Sequence, residues 1–349
     1  MTRRLQPRGD AETRLRLHRL EWHACDWREI DGFADRQVFQ SREWVSYLAE
    51  THAAEPVIAA VMDGPETVGY FTGLVVRRFG LRILGSPFPG WGTDYLGFNL
   101  RQAVPRRAAV EALLPFAWNT LGCHHLELRD RLLTTGDLEG AGFSFTPKVT
   151  FEVDLRRSEE ELFRSFASNV RRNIRKAERV GLRVEETSDA SFASDYAAQL
   201  EEVFARQSLV APYGADRVLA LMRHLGPSGR LLLLRARDPD GRCIATLISP
   251  AMNRTAYFWG GASRRADQHM RPNELLWWYA AHYWKRRGMA TFDLGGGGDY
   301  KRKYAPEQIT IPFFRTSRSS VTAGLRNCAQ RGHALKQRAL YGIRRTLGT

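Results

Sequence analysis

The chain has 349 residues and a formal net charge of +14; 43% of it is apolar, and there are nine Trp. That length fits about two domains with ample cores, and no apolar run approaches the ~20 residues of a membrane-spanning helix. The four cysteines, Cys25, Cys123, Cys243 and Cys328, are scattered without a CxxC pair, and the arginine-bearing start lacks the apolar stretch of a secretory signal. Disulfides and structural zinc are thereby disfavoured, and a cytoplasmic protein with no bound metal is expected.

Taken in chain order, residues 1–20 read as a poorly ordered basic arm. Gln40 to Leu48 is a short amphipathic helix with Ser41 as its N-cap. Pro56–Met62 and Val68–Val76 flank Asp63-Gly64 and form a hairpin. Leu81–Leu84 is a third strand, followed by a Pro/Gly/aromatic loop that contains Asp94 and Tyr95. A helix from Pro105 to Leu121, closed by Gly122, leads into a strand at His124–Arg129.

The next stretch is a basic helix over 158–180. Ser158 and Glu161 form a capping box, and Gly181 is the stop. At ~100° per residue, Leu162, Phe163, Phe166, Val170, Ile174 and Ala177 share one face. Arg164, Arg171, Arg172, Arg175, Lys176 and Arg179 fall opposite, a surface suited to phosphate or RNA. Helices follow at 189–207 and 215–225, joined by a loop with Tyr213.

The second half repeats the plan of the first. Strands at 230–237, 243–249 and 255–259 precede a helix from Pro272 that is apolar nearly all round and ends at Gly288. A short strand at 290–294 then meets Gly295–Gly298, which let the backbone approach a ligand closely, and the cations of Asp299-Tyr-Lys-Arg-Lys-Tyr304. Two copies of one α+β unit, 21–150 and 151–315, are expected to enclose a cleft. From 316 to 349 there are seven Lys/Arg and no acid, a tail suited to RNA, acidic lipid or an acidic partner.

No Ser-His-Asp order, HExxH, Walker loop, strand–GxGxxG–helix or clean acetyl-CoA loop is present. Instead, Asn169–Gly181, Pro272-Asn-Glu-Leu-Leu276, Phe292-Asp-Leu-Gly295 and Tyr300-Lys-Arg-Lys-Tyr304 occur in order. Together they resemble the FemAB-like branch of the GNAT acyltransferase superfamily over roughly residues 30–315.

The resemblance implies two tandem GNAT-like domains, each a mixed twisted sheet flanked by helices. It also implies N-acyl transfer by direct attack of an amine, with acyl-CoA or aminoacyl-tRNA as co-substrate. The acceptor would be a cell-envelope or peptide-type amine, and tail 316–349 could bring the protein to the inner membrane face. By position, Lys301 would stabilise the tetrahedral oxyanion, and Arg172, Arg175 and Lys176 would meet donor phosphate. Asp94 and Tyr95 would line the acceptor groove, with Tyr213 assigned there from its loop. Asn273 and Glu274 would orient the helix that begins at Pro272, Tyr304 takes the place of a family aromatic, and Asp293 is a candidate general base. The long coiled-coil insertion of some tRNA-using members is missing. A binding module for RNA or an anionic polysaccharide precursor, without turnover, is the rival expectation.

Overall fold

The computed structural model describes residues 15–78, 80–324 and 326. Its first unit is built on β1 (Arg16–Arg19), β2 (Glu55–Asp63), β3 (Glu66–Arg78), β4 (Leu81–Ser86), β5 (Gly97–Leu100), β6 (His125–Leu128) and β7 (Ser144–Thr146). β2 and β3 form the expected hairpin around Gly64, which takes the left-handed φ of +57°. β1 pairs with β2, so Arg16–Arg19 is an edge strand and not part of a loose arm. Residues 1–14 lie outside the described residues.

Helices α1 (Trp27–Asp31), α2 (Arg42–His52) and α3 (Arg106–Pro115) flank this sheet. Ser41 caps α2 as expected, its Oγ accepting from Trp44 N at 3.2 Å.

The second unit holds β8 (Val149–Asp154), α4 (Glu159–Ser165), α5 (Ser168–Arg179), β9 (Arg183–Glu186), α6 (Ser191–Ala205) and α7 (Ala215–Leu225). It continues through β10 (Leu231–Arg237), β11 (Cys243–Met252), β12 (Thr255–Tyr257), β13 (Gly260–Ser263), α8 (Pro272–Arg286), β14 (Thr291–Asp293) and β15 (Glu307–Thr310). The order across this sheet is β15-β8-β14-β12-β11-β10-β9, and β13 also pairs with β11. Both sheets are mixed: β4 runs parallel to β6, and β12 to β14. The result is the α+β tandem arrangement that the resemblance implied.

Two expectations are corrected. The basic helix is not continuous over 158–180; it breaks between α4 and α5, where Phe166 is extended (ψ 150°). Phe166 is buried against Trp277, Trp278 and Tyr304, and Ala167 N donates to Lys303 O at 2.9 Å. Tertiary packing of one aromatic side chain thus outweighs helix continuity. The second correction concerns the chain's end. β16 (Phe313–Ser317) leaves the second unit and inserts between β6 and β7 of the first sheet. The expected boundary at 315/316 cuts through this strand. Arg326 then pairs with the fully buried Glu127 of β6, and the rest of the basic tail lies outside the described residues.

The two units share a core. Phe39, Trp44 and Tyr95 of the first pack with Tyr196, Leu200, Val218 and Tyr257 of the second. Each apolar face buried this way is removed from water at both surfaces, which fixes the units against each other.

Candidate active site

The site begins where a strand pair comes apart. Phe258 N donates to Asp293 O at 2.8 Å, the last bond between the β12 segment and β14. Beyond it β13 stays with β11, from Ile248↔Gly260 to Ala245↔Ser263. β14 ends at Asp293, and the chain turns away through Leu294 and the glycines. The splay opens a cavity of about 420 Å³ whose walls include Gly261, Ser263, Trp277, Leu294, Lys301 and Tyr304.

The first unit repeats this splay and closes it. There Leu96 N donates to Arg129 O at 3.2 Å, and β5 stays with β3. Into the gap goes Asp130, 1% exposed, whose carboxylate accepts from Phe98 N at 2.7 Å and Leu132 N at 2.8 Å. Arg106 follows it, donating to Asp130 at 2.8 Å, Asp35 at 2.8 Å and Phe98 O at 3.3 Å. A buried ion pair, Arg106 Nη1 shared between both Asp130 oxygens, thus occupies the place that stays open between β13 and Leu294.

The glycine segment borders the open cavity. Gly295, Gly297 and Gly298 all have positive φ, the region glycine enters at no steric cost. A 3-10 turn, Asp299–Tyr304, then swings Lys301 back so that Nζ donates to the carbonyls of Leu294, Gly295 (3.3 Å) and Gly296 (2.7 Å). Lys301 is only 7% exposed, and burial lowers its pKa while Asp94 and Asp293 oppose that shift. In this state the ammonium staples the loop. Contact with an oxyanion requires one of those three bonds to be exchanged.

Asp94 and Lys301 flank Gly295: a Cβ there would lie 3.6 Å from Asp94 Oδ2 and 3.8 Å from Lys301 Nζ. Asp94 is one-third exposed; partial burial and the neighbouring Asp293 raise its carboxyl pKa, against Arg129, which donates to it at 3.4 Å. Asp293 has a different setting. It is fully enclosed, with Oδ1 accepting from Thr150 Oγ1 and Gly295 N (2.7 Å) and Oδ2 accepting from Tyr95 Oη (3.0 Å). Tyr95 belongs to the first unit, so the site lies at the seam between the units.

Glu274, 8% exposed, accepts at Oε1 from Lys303 at 2.8 Å and Asn173 at 3.2 Å, tying α8, α5 and the 3-10 turn together. Asn273 donates to Ser263 Oγ at 3.1 Å across the cavity mouth. Tyr304 stacks on Trp277 at 4.2 Å. Arg172, Arg175 and Lys176 do not line the cavity; Arg175 lies over the Phe163 ring at 5.4 Å. Tyr213 faces another hollow, between α2 and α7, where it stacks on Trp259 at 5.6 Å beneath Arg217. Sequence reading named Trp277 only as part of an apolar helix and gave Ser263 no place in the site. Among the described residues no cluster of side chains suits a metal ion.

The fold is of the tandem GNAT type, two like α+β units set side by side. Residues 164–304 match the acetyltransferase (GNAT) domain family. Among solved structures, that of FemX superposes with a TM-score of 0.70 at 14% identity, over 85% of this chain and 96% of the other. The C-terminal domain (DUF2156) of a putative lysylphosphatidylglycerol synthetase from Agrobacterium fabrum gives 0.54 at 12%, over 87% and 94%. A tandem GNAT protein from the clavulanic acid biosynthesis pathway gives 0.53 at 12%, over 87% and 99%. At such identities the likeness is one of fold. No curated protein sequence matches the chain.

Proposed function

We propose that the protein is an N-acyltransferase working at the seam between its units. The acyl donor occupies the β13/Leu294 splay, and an amine enters from the first unit's side, past Asp94. The amine attacks the acyl carbonyl directly; the carbonyl–heteroatom bond breaks as the amide forms, without a covalent enzyme intermediate. Lys301 exchanges a loop carbonyl for the developing oxyanion, where a fixed cation in a dry recess is worth most. Asp94, beside Gly295 and open to solvent on one side, takes the proton of the incoming ammonium. Asp293 fixes the geometry of Tyr95 and the glycine loop.

The observation that carries this reading is the meeting, at one Gly295, of a cation from the second unit and a perturbed acid from the first. Acyl-CoA is the donor we favour for a cavity of this size. Aminoacyl-tRNA is supported by the exposed guanidinium row of α5. Envelope or peptide-type amines are the acceptor class proposed, with FemX and the lysylphosphatidylglycerol synthetase as fold relatives. The test is incubation of pure protein with acetyl-CoA or charged tRNA and a panel of amines, read by mass spectrometry. Amide product with either donor is expected. Salt-sensitive RNA or polysaccharide binding with no product would favour the binding module instead.

A further inference from the structure

One side chain, Phe258, stands at the closed end of the donor splay. Along β11, Ala251 faces Ala256 of β12, and Ile248 faces Gly260 of β13. Between those pairs β11 takes three steps and the facing chain four, so one extra residue bulges out at Phe258–Trp259. A bulge re-aims the side chains it carries. Trp259 packs on the core shared by the units, whereas Phe258 packs on the second unit's own core and lines the cavity. The Phe258 backbone makes the last bond to Asp293, so its ring stands at the vertex where the strands part.

The ring lies against β13. A Cβ on Gly261 would come within 2.9 Å of Phe258 Cζ and 3.2 Å of Cε2, so only a glycine leaves the ring this position. The proposed oxyanion partner is close by, with Lys301 Nζ 6.0 Å from the ring centroid. Leu247, Leu276 and Leu294 add apolar wall to the cavity. Polar groups gather instead at the far end of β13, where Gln268 and Asn273 donate to Ser263 Oγ and Arg206 to Ser263 O. The extended chain from Phe258 to Ser263 spans at most ~16 Å, at ~3.3 Å per residue. A long donor arm entering there passes a polar collar first and ends against a phenyl ring.

We propose that Phe258 is the specificity-determining residue for the acyl group: its ring closes the splay a short way beyond the carbonyl held at Lys301, and the group transferred is a short apolar acyl, acetyl or propionyl. A longer alkyl chain meets the ring. Removing the ring vacates the room of a short alkyl chain at the same end. The inference rests on the acyltransferase reading, and its test separates the two.

Specificity constants would be measured with acetyl-, propionyl-, butyryl- and hexanoyl-CoA and the amine panel, for the wild type, Phe258→Ala, Phe258→Leu and Gly261→Ala. Product masses identify the acyl group transferred. In the wild type, kcat/KM is expected to fall at least about tenfold from propionyl to butyryl, the low end of what one methylene decides in an apolar pocket. Phe258→Ala is expected to reverse the order and favour butyryl or hexanoyl over acetyl, with Phe258→Leu between the two. Gly261→Ala, whose Cβ displaces the ring, is expected to lower propionyl transfer more than acetyl transfer. A merely structural role for Phe258 would lower all four donors alike. A wild type that takes hexanoyl as well as acetyl, or Phe258 variants that keep the wild-type ratios, overturns the proposal and leaves the transferase reading standing. Product from charged tRNA alone does the same. No product from any donor overturns the transferase reading and the acyl assignment with it.

Discussion

Lys301 holds three carbonyls and borders the cavity, so its loss acts twice. Lys301→Ala removes the cation aimed at the oxyanion, which at comparable sites lowers kcat by roughly 10²–10³. It also frees the carbonyls of Leu294, Gly295 and Gly296. Steady-state kinetics with the proposed donor should show the kcat loss with a smaller rise in KM. A variant with full kcat would remove the oxyanion role.

Acid titration gives a second prediction, one of stability. Glu152 binds its proton more tightly folded (about 7) than unfolded (4.5). Between those values the native state holds the extra proton, so this group makes stability fall as pH rises from about 4.5 to about 7. Glu152→Gln should flatten that part of the curve. Thermal midpoints at pH 5 and pH 7 measure it, and an unaltered difference would show that Glu152 titrates normally. Position 152 was half legible. Thr150 and Glu152 alternate with Phe151 and Val153 as a strand requires, yet nothing local says that the polar face is buried against a second unit. Lys301 was more legible because a cation after four glycines has few ordinary uses.

Among the elements, α8 was read best. Pro272 at its first position, the near-continuous apolar run and Gly288 (φ +81°) are local signals that the fold obeys. Trp284 is 3% exposed and donates to Ser249 Oγ at 2.8 Å. Trp284→Ala should therefore cost ~3–5 kcal/mol, measured by chemical denaturation. A cost under 1 kcal/mol would mean that the helix is not the second unit's pillar.

The α4–α5 element was read less well, because its periodicity continues through Phe166 while the break is imposed by aromatic rings 110 and more residues away. That break leaves α5 with Arg172 and Arg175 exposed. If aminoacyl-tRNA is the donor, Arg172→Gln/Arg175→Gln/Lys176→Gln should raise its KM and reduce the salt slope by about 2–3. Acetyl-CoA kinetics should stay put. Equal effects on both donors would assign the row to folding and not to RNA.

At the scale of the whole molecule, the repeat was legible because each half shows hairpin, strand, helix and strand in one order. The difference between the copies was not, because it depends on where Arg106 and Asp130 meet across the first splay. Nor was the crossing of β16, since a five-residue strand, Phe-Phe-Arg-Thr-Ser, carries no mark of which sheet it joins. That crossing makes the last described segment part of the first unit's foundation. β16 sits between β6 and β7 and buries Phe313 and Phe314, 6% and 1% exposed. Losing two buried phenylalanines costs ~3–5 kcal/mol each, and the ladders to β6 and β7 go with them. Native stability is only ~5–15 kcal/mol, so deletion from residue 313 onward should leave the first sheet unable to hold. The comparison is a chain ending after Arg326, which keeps β16 and the Arg326–Glu127 pair. The longer chain should show a cooperative thermal transition, whereas the shorter should lose it in the near-ultraviolet circular dichroism of the Trp-rich interface. Equal midpoints for both would mean that the sheet closes without its crossing strand and that the units are less interdependent than the shared core makes them.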